Sequence, residues 1–365
     1  MYYLDLVCYK KGIEMKKNVA IVTIIAQNYG NRLQNFALQK YLQNMGVNVS
    51  TIPYNEGDFG VKWNAKYMVN EYILGKKNQA WNRFNKMINW EKNTIGKGDS
   101  KLCQKYDYFI SGSDQVWNPL FDFNSEREYL TFAKPNQKIS YAASIGISYI
   151  PDDFKRNFET RLKDFAFISV RETDAAKLVK DIAKRDCTVV LDPTMLLSKD
   201  EWEIIAKDAK YKISHPYIIK YFLGKRTNEY EAFIEEKAKK LNAKIIDVLD
   251  ESGELNMEIG PTEFLNLFLN SEAVFTDSFH GAVFSILFQK PFVVFQRPYQ
   301  EGFGKMSSRL DTLLQLTGFE EQRVSTIDDI KNINLNCKYD KANEQIEKER
   351  IIAKQFLMSA LSISE

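Results

Sequence analysis

The segment TDSFHGAVFSILFQKPFVVF, residues 276–295, contains His280, one of only two histidines in the 365-residue chain. It has the pattern of a buried strand, a short polar break, an apolar helix and a second buried strand. Asp277, Ser278 and His280 therefore fall where the first strand ends and the helix begins. A helix N-terminus disfavours imidazolium, so we expect His280 to be neutral and able to accept a proton. The pattern predicts a catalytic histidine, although a lone histidine is more often a satisfied structural group.

A second group of polar residues follows another predicted strand, in the segment YDYFISGSDQVWNP, residues 106–119. In open α/β sheets, ligands bind beyond the carboxyl ends of the strands, so side chains at this point are candidates for substrate contact. Asp114 could accept a proton, and Trp117 offers a flat face against which a sugar ring could stack. Ser113 and Gln115, on either side of Asp114, are candidates to bind substrate. A structural turn could use some of these residue types, but rarely all of them.

The segment QNYGNRLQ, residues 27–34, leads from the first predicted strand into a helix. Free N–H groups at such a helix start attract anions, and amide side chains suit sugar hydroxyls as well as phosphate. A glycine-rich phosphate loop would contain more glycine than the single Gly30. A helix start capped by asparagine is therefore the alternative interpretation. The candidate substrate-binding residues of this segment are Asn28, Tyr29, Gly30, Asn31 and Gln34.

Arg171 directly follows the predicted strand in FISVRETDAAKL and stands at or before the start of a helix. A cation there opposes the helix dipole, so we expect Arg171 to have an anionic partner. The partner could be a bound substrate, or Glu172, Asp174 or another local carboxylate.

The later segment RPYQEGFGKMSSRLDTLL carries three cations that could hold a carboxylate or phosphate. They are Arg297, Lys305 and Arg309. For Arg297, a place in a solvated basic loop is the alternative interpretation.

These candidate residues need a scaffold, and the hydrophobic pattern predicts one in two series of alternating strands and helices. The first series starts with the apolar strand NVAIVTI at Asn18, and the second starts with YIIKYFL at Tyr217. Such alternation is typical of parallel sheets with helices on both faces. We therefore predict an α/β fold with two Rossmann-like domains and a cleft between them.

The predicted domains follow these two series. One Rossmann-like domain spans residues 15–200, a second spans residues 213–335, and a C-terminal helix spans residues 340–363. Residues 55–105 interrupt the first domain with three tryptophans and no clear strand, and we interpret them as a helical insertion. The insertion would either cover the cleft or pack against the flank of the domain.

Charge and composition exclude several classes of protein. The 50 Lys and Arg residues nearly balance the 48 Asp and Glu residues, which argues against nucleic acid as a partner and against a polybasic membrane anchor. No apolar run approaches the roughly 20 residues of a transmembrane helix. The cysteines Cys8, Cys103, Cys187 and Cys337 have no spacing for a zinc site or a disulfide framework. We expect a cytoplasmic protein whose native start is Met15, because two lysines and a strand follow it.

Six motifs together resemble the polysaccharide pyruvyl transferases, over residues 18–319. They are NYGNRLQNFALQKYL, DYFISGSDQVWNP, YAASIG, ISVRE, VLDPTMLL and TDSFHGAVFSILFQKPFVVF. The resemblance implies a GT-B-like pair of Rossmann-like domains, with the active site between them and the donor bound by the second. It also implies transfer of a pyruvyl group from phosphoenolpyruvate to two hydroxyls of a sugar, forming a cyclic ketal. The acceptor would be a cell-surface polysaccharide or its precursor, such as a lipid-linked oligosaccharide.

The resemblance also suggests roles for individual residues. His280 would be the catalytic histidine and Arg171 the donor-binding arginine, with Asp114 as the second candidate for proton transfer, and YAASIG adds Ser144 to the substrate-binding candidates. At the position where this chain has Ser278, Phe279 and His280, relatives have a sequence similar to Arg-Leu-His. One donor-binding cation is therefore missing at Ser278, and Arg309 or Lys305 would replace it. The resemblance implies that phosphoenolpyruvate would be the donor substrate and that the reaction would require no metal or cofactor.

Two other functions remain open. A glycosyltransferase with the same architecture would use a nucleotide sugar and would need a pocket for base and ribose, often with a glutamate on the ribose. The sequence SFHG, residues 278–281, has no such acid, which argues against this reading without excluding it. The second alternative is that this protein is a family member that has lost the donor arginine, binds glycans and catalyses no reaction.

Overall fold

A computed structural model describes residues 16–54, 75–96, 99–121, 124–250, 258–297 and 308–364. Within this part of the chain, eleven strands form two sheets, and every pair of neighbouring strands is parallel. The predicted start at Met15 and the candidate cation Lys305 lie outside the described residues. Residues 55–74 and 97–98 of the predicted insertion lie outside them too.

The first sheet is built from the N-terminal half of the chain. Its strands are β1 (Asn18–Val22), β2 (Asn48–Thr51), β3 (Tyr108–Asp114), β4 (Lys138–Ala143), β5 (Ser169–Val170) and β6 (Thr188–Val189). They lie in the order β2-β1-β3-β4-β5-β6. The central strands are buried along almost their whole length, which explains why they are continuous apolar runs rather than alternating ones.

Six helices accompany this sheet in the described residues. They are α1 (Tyr29–Asn44), α2 (Gly75–Asn85), α3 (Asp99–Lys105), α4 (Asp152–Lys163), α5 (Thr173–Leu178) and α6 (Lys199–Lys207). Asn28 starts α1, because its side chain accepts a hydrogen bond from the backbone N–H of Asn31 at 3.2 Å. After this helix Gly46 adopts a φ of 83°, the left-handed conformation that commonly ends a helix.

The second sheet is built from the C-terminal half. Its strands are β7 (Tyr217–Tyr221), β8 (Lys244–Asp247), β9 (Ala273–Thr276), β10 (Phe292–Phe295) and β11 (Arg323–Val324), in the order β11-β10-β9-β7-β8. Its described helices are α7 (Asn228–Lys240), α8 (Pro261–Asn270), α9 (Phe279–Leu287), α10 (Ser308–Thr317), α11 (Ile327–Ile330) and α12 (Asp340–Leu361). Every residue of α9 is buried, in keeping with a sequence that is apolar on all faces.

Aromatic side chains join the two halves. The ring of Tyr29 in α1 stacks on Phe264 of α8, with ring centroids 4.7 Å apart, and on Trp81 of α2 at 5.3 Å. Trp202 of α6 meets Phe284 of α9 edge-to-face at 5.3 Å. These contacts belong to one apolar core that includes residues from both sheets. The packing brings the start of α1 next to the start of α9, so that the carboxyl ends of β1 and β9 face a common cleft.

The α/β fold with two parallel sheets is confirmed. The described part of the predicted insertion contains α2 and α3, and Trp81 is 2% exposed against the junction of the two halves. This packing concerns only the described part of the insertion, so whether the insertion covers the cleft or packs against the flank of the domain remains a prediction. The domain limits themselves remain predictions.

Candidate active site

Polar side chains from both halves meet around a cavity of about 200 Å³, called the central cavity below. It lies where loops after β1 and β3 face the start of α9 and the second residue of α10. Eight of the candidate residues line it, although they are distant in sequence. They are Asn28, Asn31, Asp114, Gln115, Ser278, His280, Arg297 and Arg309.

His280 is the second residue of α9 and is 6% exposed. Ser278 caps this helix, since its hydroxyl accepts a hydrogen bond from the backbone N–H of Gly281 at 3.4 Å. Nε2 of His280 is buried, makes no hydrogen bond to another described residue, and lies 3.8 Å from Oδ2 of Asp192. Ser278 thus lines the cavity, and its hydroxyl is already used to hold the histidine-bearing helix.

The electrostatic surroundings keep His280 neutral. Burial lowers the pKa of His280 below its usual range, and the charges of Arg171 and Arg309 lower it further. Asp192 and Asp114 act in the opposite direction but do not compensate. The helix N-terminus also disfavours imidazolium. A neutral imidazole can accept a proton, which is the property that the sequence predicted.

The imidazole of His280 rests on Gly30 of α1. A Cβ atom at Gly30 would lie 2.0 Å from Nδ1 and 2.5 Å from Cγ of the ring, far inside van der Waals contact. Any side chain at this position would therefore displace the imidazole. Gly30 was predicted to contact substrate, but it contacts the histidine instead and does not line the central cavity.

Asp114 ends β3 with a φ of 65°, a left-handed conformation that is uncommon for a residue other than glycine. Oδ2 accepts a hydrogen bond from the amide of Asn31, and Oδ1 accepts one from the backbone N–H of Gln115 at 2.9 Å. Burial alone would raise its pKa, but Arg171 and Arg309 lower the pKa of Asp114 below its usual range. The group is thus an ionised carboxylate, and its role in proton transfer remains a prediction.

Arg171, directly after β5, is buried among carboxylates. One guanidinium nitrogen donates to Oδ2 of Asp192 at 2.6 Å, and the other donates to Oδ1 of Asp114 at 3.3 Å. The predicted anionic partner thus exists within the protein, but it is neither Glu172 nor Asp174. Both partner carboxylates are distant in sequence.

Arg309 is the least compensated cation of the site. It is 7% exposed and makes no hydrogen bond to another described residue. The carboxylate nearest to it is Asp114, with Oδ1 3.9 Å from a guanidinium nitrogen. Burial and the charge of Arg171 lower the pKa of Arg309 to about 10, so it stays charged at neutral pH. A buried charge without close partners is costly, which makes Arg309 a candidate to bind an anion.

Arg297 and Asp277 form a separate pair at the edge of the cavity. Nε of Arg297 donates to Oδ2 of Asp277 at 3.0 Å. The same carboxylate also accepts hydrogen bonds from the backbone N–H groups of Leu223 and Gly224 at 2.7 and 2.8 Å. Asp277 therefore holds the loop after β7 and does not contact His280.

Three predicted substrate-binding residues lie in the core, which corrects the sequence analysis. Trp117 is fully buried and stacks on Tyr129, with centroids 5.9 Å apart, so it has no free face for a sugar. Tyr29 is part of the aromatic junction, and its hydroxyl donates to the carbonyl of Ile259 at 3.3 Å. Gln34 is fully buried, and its amide donates to the hydroxyl of Thr23 at 2.8 Å. Trp117 and Tyr29 are thus occupied by packing and hydrogen bonds within the protein, whereas Oε1 of Gln34 is buried and accepts no hydrogen bond from another described residue.

Two further candidates have structural partners. The hydroxyl of Ser113 donates to Asp192 at 2.8 Å. The hydroxyl of Ser144 donates to Oε1 of Glu172 at 2.9 Å, and the same oxygen accepts the backbone N–H groups of residues 145 and 146. Both serines are fully buried and are absent from the lining of the central cavity. They support the site and have no direct access to a substrate.

Asp192 and Glu172 hold the first-sheet side of the site together, and neither was predicted from the sequence as a site residue. Asp192 lies just past β6, within the motif VLDPTMLL, so the rule that ligands bind at strand ends could have selected it. Glu172 follows Arg171 and was considered only as its partner. Its bonds to the loop after β4 are long-range contacts for which the sequence gives no signal.

A second cavity, of about 380 Å³, also includes Phe279 and Arg309. Half of its other lining residues are apolar, such as Val190 and Leu313, and half are polar, among them Arg171 and Asp192, which do not line the central cavity. The acid–base groups His280 and Asp114 line only the central cavity, which is therefore the candidate reaction site. In the part of the chain that the structure describes, no group of three or more His, Cys, Asp or Glu side chains could hold a metal ion.

Solved structures share the fold at low sequence identity. S. aureus MnaA, solved with UDP, aligns with a TM-score of 0.52 and 13% identity over 96% of this chain and 99% of its own. A putative UDP-N-acetylglucosamine 2-epimerase from Listeria monocytogenes aligns with a TM-score of 0.51 and 10% identity, covering 94% of this chain and 95% of its own. These similarities concern the fold alone, and they place the two facing α/β halves in the GT-B class.

The family is shown by sequence. The model of the polysaccharide pyruvyl transferase family matches residues 28–297, which is most of the chain. The chain belongs to this family, as its motifs suggested. No curated protein shows a significant sequence match. None of the helices described here is long and apolar enough to cross a membrane.

Proposed function

We propose that this protein transfers a pyruvyl group from phosphoenolpyruvate to two hydroxyls of a sugar, in a polysaccharide or its lipid-linked precursor, and does so in the cytoplasm. One observation carries the proposal. A neutral histidine, His280, and a poorly compensated arginine, Arg309, line the same cavity in a member of the pyruvyl transferase family. The first can accept a proton and the second can bind an anion.

Arg309 is the stronger candidate to bind the anionic donor. Phosphoenolpyruvate carries a phosphate and a carboxylate, both of which suit a guanidinium. Arg171 already contacts two buried carboxylates, whereas Arg309 has its nearest carboxylate at 3.9 Å. Arg309 would thus replace the arginine that relatives have at the position of Ser278. Arg171 would fix Asp114 and Asp192 and add its charge at longer range.

The proposed reaction needs only the transfer of protons between substrates and His280. Neutral His280 accepts the proton of one sugar hydroxyl and passes it to the methylene carbon of phosphoenolpyruvate, which becomes a methyl group. The hydroxyl oxygen bonds to the central carbon of the donor. The second hydroxyl then attacks the same carbon, the bond to the phosphate oxygen breaks, and the released phosphate takes the second proton. One ketal and one phosphate form from one donor and one diol.

The acceptor would bind against the amide side chains of the first half. Asn28, Asn31 and Gln115 line the central cavity and can both donate and accept hydrogen bonds, as sugar hydroxyls require. Asp114 would act mainly by holding Asn31 and the backbone of Gln115, since its pKa is lowered and a weakly basic carboxylate is a poor proton acceptor. The cavity thus has a cation and a histidine on one side and amides on the other.

The test is the release of phosphate from phosphoenolpyruvate in the presence of diol-containing acceptors based on galactose, mannose and glucose, both free and lipid-linked. We expect release that depends on the acceptor, together with formation of a stable ketal seen by mass spectrometry. Parallel binding assays with phosphoenolpyruvate and with nucleotide sugars separate the alternatives. Binding of a nucleotide sugar without binding of phosphoenolpyruvate would contradict the proposal and favour a glycosyltransferase. Binding of glycans alone would favour a non-catalytic relative.

A further inference from the structure

Asp192 is the carboxylate that lies closest to the imidazole of His280. Its Oδ2 is 3.8 Å from Nε2, and no other carboxylate among the described residues comes within 4.0 Å of either ring nitrogen. Asp192 is 2% exposed. The charge of Arg171 and hydrogen bonds from Thr194 lower the pKa of Asp192 to about 2 in spite of its burial, so it is ionised at neutral pH.

The carboxylate is held firmly in this orientation. Oδ1 accepts hydrogen bonds from the backbone N–H and the hydroxyl of Thr194, at 3.0 and 2.6 Å. Oδ2 accepts bonds from Arg171 at 2.6 Å and from Ser113 at 2.8 Å. Four bonds from three residues leave Asp192 no freedom to rotate. A negative oxygen is therefore fixed opposite Nε2 of His280.

A neutral imidazole has two tautomers, and a fixed negative oxygen distinguishes them. If Nε2 carries the hydrogen, its N–H points towards a carboxylate and is attracted to it. If Nε2 carries the lone pair, two electron-rich atoms face each other in a buried site, where electrostatic effects are strong. Nε2 is buried and makes no hydrogen bond to any other described residue. Asp192 is therefore the group that decides between the two forms.

The geometry points to Asp192 as a positioning residue that holds the Nε2–H tautomer of His280 and leaves the lone pair on Nδ1 for proton transfer. The inference rests on the proposed role of His280 as proton acceptor, and it names the atom that would act. Arg171, Arg309 and Asp114 also affect the imidazole electrostatically, but none of them forms a hydrogen bond with Nε2. The ring also packs on Gly30, whose missing side chain lets it occupy this place, and meets Phe279 edge-to-face.

The tautomer can be measured directly, because the chain has only two histidines. The ¹⁵N chemical shifts of the ring nitrogens in histidine-labelled protein distinguish a protonated from an unprotonated nitrogen. His215→Gln identifies the signals of the partly exposed second histidine. In substrate-free wild-type protein at neutral pH, we expect His280 to have a protonated Nε2 and an unprotonated Nδ1. A protonated Nδ1 with an unprotonated Nε2 would overturn the inference.

Two matched variants test the cause. Asp192→Asn removes the charge, and its amide can either donate to Nε2 or accept from it, so we expect a mixture of tautomers or the Nδ1–H form. Asp114→Asn removes an equally buried charge near the ring that does not contact a ring nitrogen, and we expect it to keep the wild-type tautomer. An unchanged tautomer in Asp192→Asn, or the same change in both variants, would contradict the role of Asp192. If Asp192→Asn does not fold, the wild-type spectrum still shows whether His280 has the predicted tautomer.

This experiment separates the inference from the proposed function. The spectra are recorded without substrate, so they do not depend on the identity of the donor. The predicted tautomer combined with no pyruvyl transfer would count against the proposed function alone. In an active protein, Asp192→Asn should also lower phosphate release by roughly 10²-fold or more, because the wrong tautomer presents N–H where a lone pair is needed.

Discussion

The two sides of the central cavity are built differently. On the side of the first sheet, charged groups compensate one another: Arg171 contacts Asp114 and Asp192 at 3.3 and 2.6 Å. On the side of the second sheet, His280 and Arg309 are equally buried but make no hydrogen bond to another described residue. Satisfied buried networks give rigidity, whereas unsatisfied buried groups are costly unless a ligand completes them.

This difference suggests a division of roles. The first-sheet side would be a preformed support, and its loss should affect stability before it affects chemistry. The second-sheet side would bind the donor and transfer protons, and its loss should affect binding or turnover with little effect on folding. Substitutions on each side of the cavity test this division.

Arg171→Gln should strongly destabilise the protein. The substitution leaves Asp114 and Asp192 buried without their common counter-charge, and breaking a buried ion pair in this way typically costs about 3–5 kcal/mol. The measurement is the free energy of unfolding in urea. Arg297→Gln is the matched control, because Arg297 is a partly exposed arginine paired with one carboxylate, and it should cost much less. Similar stabilities for the two variants would contradict the role of Arg171 as a support.

Gly30→Ala should inactivate the protein without unfolding it. The new Cβ would collide with the imidazole of His280 and displace it, and a shift of about 1 Å in a reacting group can cost 10²-fold in rate. Phosphate release and thermal unfolding are measured together. Gly75→Ala, where no heavy atom of the described residues lies within 4 Å of the new Cβ, is the control and should keep its activity. A near-normal rate in a folded Gly30→Ala protein would show that the position of the imidazole is not critical.

Arg309→Gln should weaken donor binding. Loss of one charged hydrogen-bonding partner costs roughly 1.5–3 kcal/mol, which corresponds to about 10- to 100-fold in the dissociation constant of phosphoenolpyruvate. Stability should fall little, since Arg309 makes no hydrogen bond within the described part of the protein. Calorimetric titration with the donor measures the effect. An unchanged affinity for phosphoenolpyruvate would contradict this role of Arg309 and leave Arg171 and Lys305 as the candidate donor-binding residues.

A smaller effect is expected on the pH dependence of the free energy of unfolding in mild acid. The pKa of His280 is lower in the folded protein than its ordinary value of 6.5, mainly because of burial. The unfolded chain therefore binds the proton more readily, and stability falls as the pH drops below that value. His280→Gln should remove this part of the pH dependence, and His215→Gln should not. Equal pH dependence of unfolding in wild type and His280→Gln would show that His280 is not held neutral by the fold.

The sequence predicted the fold well, because buried parallel strands are continuous apolar runs that are easy to recognise. It also placed Asp114, Arg171 and His280 correctly at strand ends. It was wrong for Trp117, because a polar loop does not reveal which of its side chains turns back into the core. It could not identify the pairing of Arg171 with Asp192, which depends on the order of β5 and β6 in the sheet. Nor could it show that Gly30 supports His280, a contact between the two halves of the chain.

The most direct test of the account is to measure donor binding and turnover together in His280→Gln. Glutamine keeps hydrogen-bonding capacity but cannot accept and pass on a proton at neutral pH. We expect phosphoenolpyruvate to bind with an affinity within a few-fold of wild type, while phosphate release with an active acceptor falls by about 10²-fold or more. A variant that binds the donor and releases phosphate at nearly the wild-type rate would contradict the central claim that His280 transfers the proton.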